Sequence, residues 1–191
     1  MNTNKVLIWC HGGCFSGGSM EYDKELRNYL KSHHNWQIHC VDFSLNDWDK
    51  AIEDIINVVK IYTGTHHVVL GGVSSGGLLA HETANRTNLP AILLCPVIKP
   101  ASRHNSLSND LQEKQLNFFK TMDNMIQIEQ SIKPPNNKRF IIYGKTDTRA
   151  PVNAYVDWLK QDDITVHEET GGHELCNKPP YEIFAQGLND L

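Results

Sequence analysis

The sequence predicts an α/β fold: a doubly wound, mostly parallel sheet of about six strands with helices on both faces. Short apolar segments alternate with longer amphipathic segments along the 191 residues. This alternation is typical of right-handed β–α–β crossovers, which build a parallel sheet. The short segments are almost continuously apolar, as expected of strands that are buried on both faces. The length suits one domain, covering residues 1–191.

Six segments have the length and the apolar character of buried strands. The longer segments between them have the composition and spacing of crossover helices. In chain order, the predicted strands are Val6–Cys10, Gln37–Phe43, His67–Gly71, Ala91–Val97, Arg139–Tyr143 and Ile164–Glu168.

Helices are predicted between these strands. The segment Met20–Ser32 follows a glycine-rich loop, and Trp48–Tyr62 repeats its apolar residues at helical spacing. The segment Ser75–Asn85 begins directly after a second glycine-rich turn. The remaining predicted helices are Asn109–Ile128, Val152–Leu159 and a C-terminal helix near Tyr181–Leu188.

Residues 98–135 form the one irregular section of the chain. A polar stretch, Ile98–Asp110, is followed by the predicted helix Asn109–Ile128, and two prolines end the section. One hypothesis is a small lid insertion over a binding site, with four apolar side chains facing substrate. The favoured alternative is a surface loop and an ordinary crossover helix whose same residues face the core. The four residues are Phe118, Phe119, Met122 and Met125.

Composition excludes several classes of function. The net charge is −4 and no run of Lys or Arg is present, so neither nucleic acid nor an anionic membrane surface is an expected partner. No apolar stretch approaches the roughly 18 to 20 residues that span a bilayer. The first ten residues lack a secretory signal pattern. The five cysteines are irregularly spaced, which predicts free thiols and a cytoplasmic location.

The segment VVLGGVSSGGLLA, from Val68 to Ala80, contains the most informative pattern. It runs from an apolar strand through G-x-S-x-G into a helix, as a nucleophile elbow does. Ser74 is the predicted nucleophile because it has a glycine two residues away on each side. The backbone N–H of Ser75 would then face a developing oxyanion. An ordinary glycine-rich turn remains an alternative, whereas the glycine spacing does not match a phosphate-binding loop.

Three other predicted strand ends carry related chemistry. The loop HGGCFSGGS, which starts at His11, can present backbone N–H groups to a negative charge. His11 itself is interpreted as shaping that loop. Asp147 follows the fifth strand and could orient a histidine, although a turn-capping role is the common alternative. His173 follows the last strand and could reach Ser74 as general base. No H-E-x-x-H motif or paired cysteine spacing occurs, so neither metal nor cofactor is predicted.

The order of these features resembles the α/β-hydrolase superfamily. The segments HGGCFSGGSMEYDKELRNYL, AIEDIINVV and GVSSGGLLA resemble the hormone-sensitive-lipase-like carboxylesterases of that superfamily. The segments IIYGKTDTRAPV and GGHEL resemble the Asp and His regions of the superfamily as a whole. Two departures from that branch are Cys14, at the usual third glycine of the loop, and VDFSL in place of Y-R-L-A-P-E. Kynurenine-formamidase-like enzymes share the H-G-G loop. The chain would be a minimal member without the N-terminal cap.

The resemblance implies a mechanism and a set of site residues. Ser74 would be the nucleophile, His173 the base, and Asp147 the group that orients His173. Gly12, Gly13 and Ser75 would supply oxyanion donors.

The expected substrate is a small-molecule ester, with a short acyl group because the site would lie open. Amide, formamide or thioester hydrolysis by the same residues is an alternative. A non-catalytic ligand-binding protein on this scaffold is another. The sequence predicts no oligomeric state.

Overall fold

A computed structural model describes residues 4–13, 21–44, 46–151, 157, 161–176 and 178–191. Its sheet has six strands in the order β2-β1-β3-β4-β5-β6, and all neighbouring strands are parallel. This arrangement confirms the predicted fold class. The strands are β1 (Asn4–Cys10), β2 (Trp36–Cys40), β3 (His66–Val73), β4 (Ala91–Leu94), β5 (Arg139–Gly144) and β6 (Ile164–Glu169).

Helices cover both faces of the sheet. On one face, α1 and α7 pack against a cluster that includes Leu7 and Trp9 of β1. On the other face, the helices α2 to α6 pack against Val6 and Ile8. The alternation within β1 follows from the pleat, which turns successive side chains to opposite faces. The helices are α1 (Glu21–His34), α2 (Trp48–Tyr62), α3 (Ser75–Thr87), α4 (Pro100–Arg103), α5 (Asn109–Phe119), α6 (Met122–Ser131) and α7 (Tyr181–Asp190).

The predicted single helix Asn109–Ile128 is wrong, because the chain forms α5 and α6 there instead. Lys120 adopts a left-handed conformation with φ 69°, which interrupts the helix. Thr121 then starts α6 by accepting a hydrogen bond from the backbone N–H of Asn124 at 3.1 Å. The break allows both helices to bury apolar side chains, among them Phe118 and Met125.

Two predicted strands are too long. The strand β2 ends at Cys40 and β4 ends at Leu94. Beyond β4, Cys95 has φ 44° and turns the chain away from the sheet. The predicted irregular stretch Ile98–Asp110 contains α4 and a 3₁₀ turn. The predicted helix Val152–Leu159 lies outside the described residues, apart from position 157.

Four cysteines lie in the described part of the chain and are free thiols, as predicted: Cys10, Cys40, Cys95 and Cys176. Cys14 lies outside it. No helix among the described residues is long and apolar enough to cross a membrane.

A buried polar cluster joins α3 to the start of β5, at the sheet edge opposite the carboxyl ends of the strands. His81 is fully buried, and its Nε2 lies 2.8 Å from the Lys133 carbonyl oxygen. Arg139 is 1% exposed and donates to the Asn85 side-chain oxygen at 2.8 Å and to three backbone carbonyls. Burial and the neighbouring charge of Arg139 lower the pKa of His81 from 6.5 to about 3.

This lowered pKa predicts loss of stability in mild acid. The folded chain resists protonation of His81, whereas the unfolded chain takes up the proton near pH 6.5. The stabilisation is therefore complete above pH 6.5 and is lost as the pH falls towards 3. Its full size is on the order of 4 kcal/mol.

Urea titrations at several pH values measure this dependence. We expect His81→Gln to flatten the fall in unfolding free energy between pH 6.5 and 4, while the exposed His33→Gln retains it. Equal slopes for His81→Gln and wild type would contradict the assignment.

Candidate active site

Ser74 occupies a strained turn between β3 and α3. Its backbone has φ 55° and ψ −120°, a conformation that few non-glycine residues adopt. The two flanking glycines make the turn possible. A Cβ on Gly72 would lie 2.3 Å from the Gly76 carbonyl oxygen, and one on Gly76 would lie 2.2 Å from the Cys10 carbonyl oxygen. Only glycine fits at either position, so the sequence spacing that predicts an elbow has a steric cause.

Backbone hydrogen bonds hold this turn against the next strand. The Ser74 N–H donates to the Leu94 carbonyl at 2.9 Å, and the Ser74 carbonyl accepts from Val97 N–H at 3.0 Å and Gly77 N–H at 3.1 Å. The segment after β4 is therefore fixed beside Ser74. Strain of this kind persists only where the surrounding structure holds it.

The structure brings Ser74, His173 and Asp147 into one chain of hydrogen-bonding contacts. Ser74 Oγ lies 3.0 Å from His173 Nε2, although the residues are 99 positions apart. His173 Nδ1 lies 2.8 Å from Asp147 Oδ2. Because a carboxylate only accepts, Nδ1 carries the proton, which leaves the Nε2 lone pair to accept from the Ser74 hydroxyl.

Asp147 is held as a carboxylate. Its side chain is fully buried, whereas that of His173 is 17% exposed. Its Oδ1 accepts the backbone N–H groups of Arg149 and Ala150, each at 2.8 Å. Burial opposes the charge on Asp147, but the bonds from His173 and these backbone groups outweigh it and lower the pKa of Asp147.

A glycine-rich loop presents His173. Gly144 has no room for a Cβ, which would lie 2.6 Å from the Gly171 carbonyl oxygen. The loop carrying His173 therefore packs directly on the end of β5. Gly171 has φ 127°, and Glu174 Oε1 accepts the Gly172 N–H at 2.8 Å. This last bond lowers the pKa of Glu174. Glu174 was not among the site residues predicted from the sequence, although it directly follows His173.

The three residues predicted to supply oxyanion donors lie beside Ser74 or in the loop that reaches it. A Cβ on Gly12 would lie 3.5 Å from Ser74 Cβ, so the Gly12 backbone passes close to that side chain. Gly13 has φ 66°, which favours glycine. Ser75 is the first residue of α3, where the helix dipole favours negative charge. Cys14 lies outside the described residues.

The His11 side chain packs at the start of this loop. Its ring stacks on Phe43 with centroids 4.7 Å apart, and its Nδ1 lies 3.0 Å from the Gly12 carbonyl oxygen. These contacts place the His11 ring at the start of the loop.

Three of the four apolar residues considered for a lid in the 98–135 segment are buried. Phe118 and Phe119 are almost fully buried and contact Trp48 through their rings, and Met125 is fully buried. This packing supports a structural role for these three side chains. The lid function of the segment stays a prediction.

No group of three or more His, Cys, Asp or Glu residues that could hold a metal occurs among the described residues. The Ser74–His173–Asp147 arrangement can transfer a proton. The Ser74 hydroxyl can pass its proton to His173, and Asp147 can stabilise the resulting cation.

Comparisons with known proteins gave two findings. A family model described as alpha/beta hydrolase fold matches residues 7–163. Comparison with functionally curated proteins gave no significant match.

Several solved structures share the fold. EstE5, soaked with p-nitrophenyl butyrate, has a TM-score of 0.70 and 14% identity over 98% of this chain and 76% of that chain. Est1E from Butyrivibrio proteoclasticus, with ferulic acid bound, has a TM-score of 0.71 and 17% identity over 97% and 87%. An esterase of the bacterial hormone-sensitive lipase family has a TM-score of 0.71 and 14% identity over 98% and 75%.

Proposed function

The chain belongs to the α/β-hydrolase family, and from that premise we propose that it is a serine hydrolase that cleaves short-acyl carboxylic esters. The observation that carries this proposal is the contact of 3.0 Å between Ser74 Oγ and His173 Nε2, continued by the contact of His173 with Asp147. An unpaired serine hydroxyl is a weak nucleophile, and a positioned base is what activates it.

The reaction has two steps. Ser74 Oγ attacks the ester carbonyl while His173 takes the hydroxyl proton, and the oxyanion is bound by the backbone N–H groups of Gly12, Gly13 and Ser75. His173 then gives the proton to the departing alcohol, which leaves an acyl group on Ser74. Water, deprotonated by His173, attacks this acyl-enzyme and releases the acid.

The comparisons with solved structures support an ester as the substrate class. The similar structures include an esterase of the bacterial hormone-sensitive lipase family, and EstE5, which was soaked with p-nitrophenyl butyrate. For the location, we infer a reducing, cytoplasmic compartment from the free thiols of the described residues. Within the superfamily, the motifs of this chain are most similar to those of the hormone-sensitive-lipase-like enzymes. Amides, formamides and thioesters would use the same residues, and assays of matched acyl compounds separate them.

A fluorophosphonate probe tests the proposal, because it forms a covalent bond only with an activated serine. We expect one label per chain, and peptide mapping should place it on Ser74. Prior denaturation is the control and should prevent labelling. A folded protein that never labels would favour a non-catalytic binding function on this scaffold.

A further inference from the structure

The helix α4 carries a half-buried guanidinium group with a buried nitrogen that makes no hydrogen bond. Arg103 is half-buried, and its Nε is inaccessible to solvent and makes no hydrogen bond. Within the part of the chain that the structure describes, no carboxylate forms an ion pair with Arg103. A desolvated guanidinium is costly unless an anion or several acceptors face it.

Contacts around α4 fix where this group lies. The chain leaves Ser74 through the bond from Val97 N–H to the Ser74 carbonyl and enters α4 three residues later. Glu129 of α6 then holds α4, because its Oε2 accepts the backbone N–H groups of Ala101 at 2.7 Å and Ser102 at 3.0 Å. Arg103 therefore lies at the end of a short helix that is bonded to α6 and that begins three residues after the contact with Ser74.

The charges that act on Arg103 belong to the same site. Among the described residues, Asp147 attracts the Arg103 guanidinium and Arg149 repels it. The Cys176 thiol also interacts with it. Asp147 is already committed to His173 and to two backbone N–H groups. Arg149 is exposed, and its positive charge repels that of Arg103. Burial already disfavours the charged form of Arg103. Burial and Arg149 together lower the pKa of Arg103 although Asp147 opposes them.

Asp147 thus offsets only part of the cost of burying the Arg103 guanidinium, and an additional anion would offset more of it. We propose that Arg103, assisted by Arg149, binds a carboxylate on the substrate, so that the preferred substrates are esters that carry a second, ionised carboxyl group. The planar fork of arginine matches a carboxylate through paired hydrogen bonds. Because Asp147 offsets part of the positive charge, a singly charged group suits the site better than a dianion. This inference rests on the proposed ester hydrolysis.

A set of three ethyl esters of similar length tests the inference: monoethyl succinate is anionic, ethyl butyrate is neutral, and ethyl 4-aminobutyrate is cationic. We expect wild type to have the highest kcat/KM for monoethyl succinate and the lowest for the cationic ester. In Arg103→Gln, the ratio of kcat/KM for the anionic ester to that for the neutral ester should fall about 10- to 100-fold. Arg103→Lys should restore part of that ratio, since it keeps the charge and loses the fork.

Arg86→Gln is the matched control, because Arg86 is exposed and lies on α3 beside Asp49. It should leave the ratio unchanged. A wild-type preference for ethyl butyrate would overturn the inference. So would an Arg103→Gln variant that loses activity on both esters equally, since that pattern indicates a purely structural role.

A second measurement does not depend on the choice of ester. Succinate should slow fluorophosphonate labelling of Ser74 in wild type, and Arg103→Gln should weaken this protection at least 10-fold. Neutral butyramide should protect both proteins equally. Labelling of Ser74 without selective protection by succinate would overturn this inference and leave the proposed function standing. Failure of Ser74 to label at all would instead overturn the proposed function.

Discussion

Replacing Ser74 by alanine is expected to lower kcat for ester hydrolysis by a factor on the order of 10⁴ or more. The alanine removes the only hydroxyl that contacts His173 Nε2 among the described residues, so no nucleophile remains in place for the base. Residual hydrolysis would come from the oxyanion donors and substrate positioning alone. Hydrolysis of p-nitrophenyl acetate, followed by absorbance, measures the loss.

The fold should survive this change. Both serine and alanine are L-residues with similar strain at φ 55°, and the backbone bonds from Ser74 to Leu94 and Val97 do not involve the side chain. Circular dichroism and urea titration should therefore match those of wild type.

Ser75→Ala is the discriminating variant, since Ser75 is the neighbouring serine of the same motif. Its predicted contribution is a backbone N–H, which alanine keeps, so its loss of activity should be at least 100-fold smaller than that of Ser74→Ala. A Ser74→Ala protein that retains activity would remove Ser74 from the mechanism.

Periodicity and strand order were enough to predict most of the fold. The helix α2 has the predicted ends, because a long amphipathic pattern fixes a helix well. The break between α5 and α6 escaped prediction because Lys120 takes a left-handed conformation without being glycine. The strand β4 ends early for a similar reason, since apolar Cys95 continues the pattern but turns the backbone. Such turns are set by tertiary contacts, which composition does not report.

The candidate site was predictable where chemistry coincides with a strand end. The carboxyl ends of parallel strands share one edge of the sheet, so Ser74, Asp147 and His173 were expected to meet, although the spacing gives no distances. Glu174 and Arg103 were not singled out. A single arginine in a polar stretch matches no sequence motif. That its buried Nε makes no hydrogen bond is visible only in three dimensions.

Replacing Asp147 by asparagine is expected to lower kcat by a factor on the order of 10⁴ while the fold stays intact. The reason lies in the two backbone donors. Arg149 N–H and Ala150 N–H both point at Oδ1, so the asparagine side-chain oxygen must occupy that position. Its NH₂ group is then directed at His173 Nδ1, which has to become an acceptor. The proton moves to Nε2, and His173 can no longer accept the Ser74 proton.

Steady-state hydrolysis of p-nitrophenyl acetate and the rate of fluorophosphonate labelling should fall together in Asp147→Asn, because both require the same tautomer of His173. Asp110→Asn is an exposed change on α5, where the carboxylate pairs with Lys114, and it should leave both rates as in wild type. If Asp147→Asn keeps more than a tenth of the wild-type rate, the orienting role belongs to another carboxylate. Glu174 would be the next to test, since it interacts with His173 electrostatically, and Glu174→Gln would then show the large loss instead.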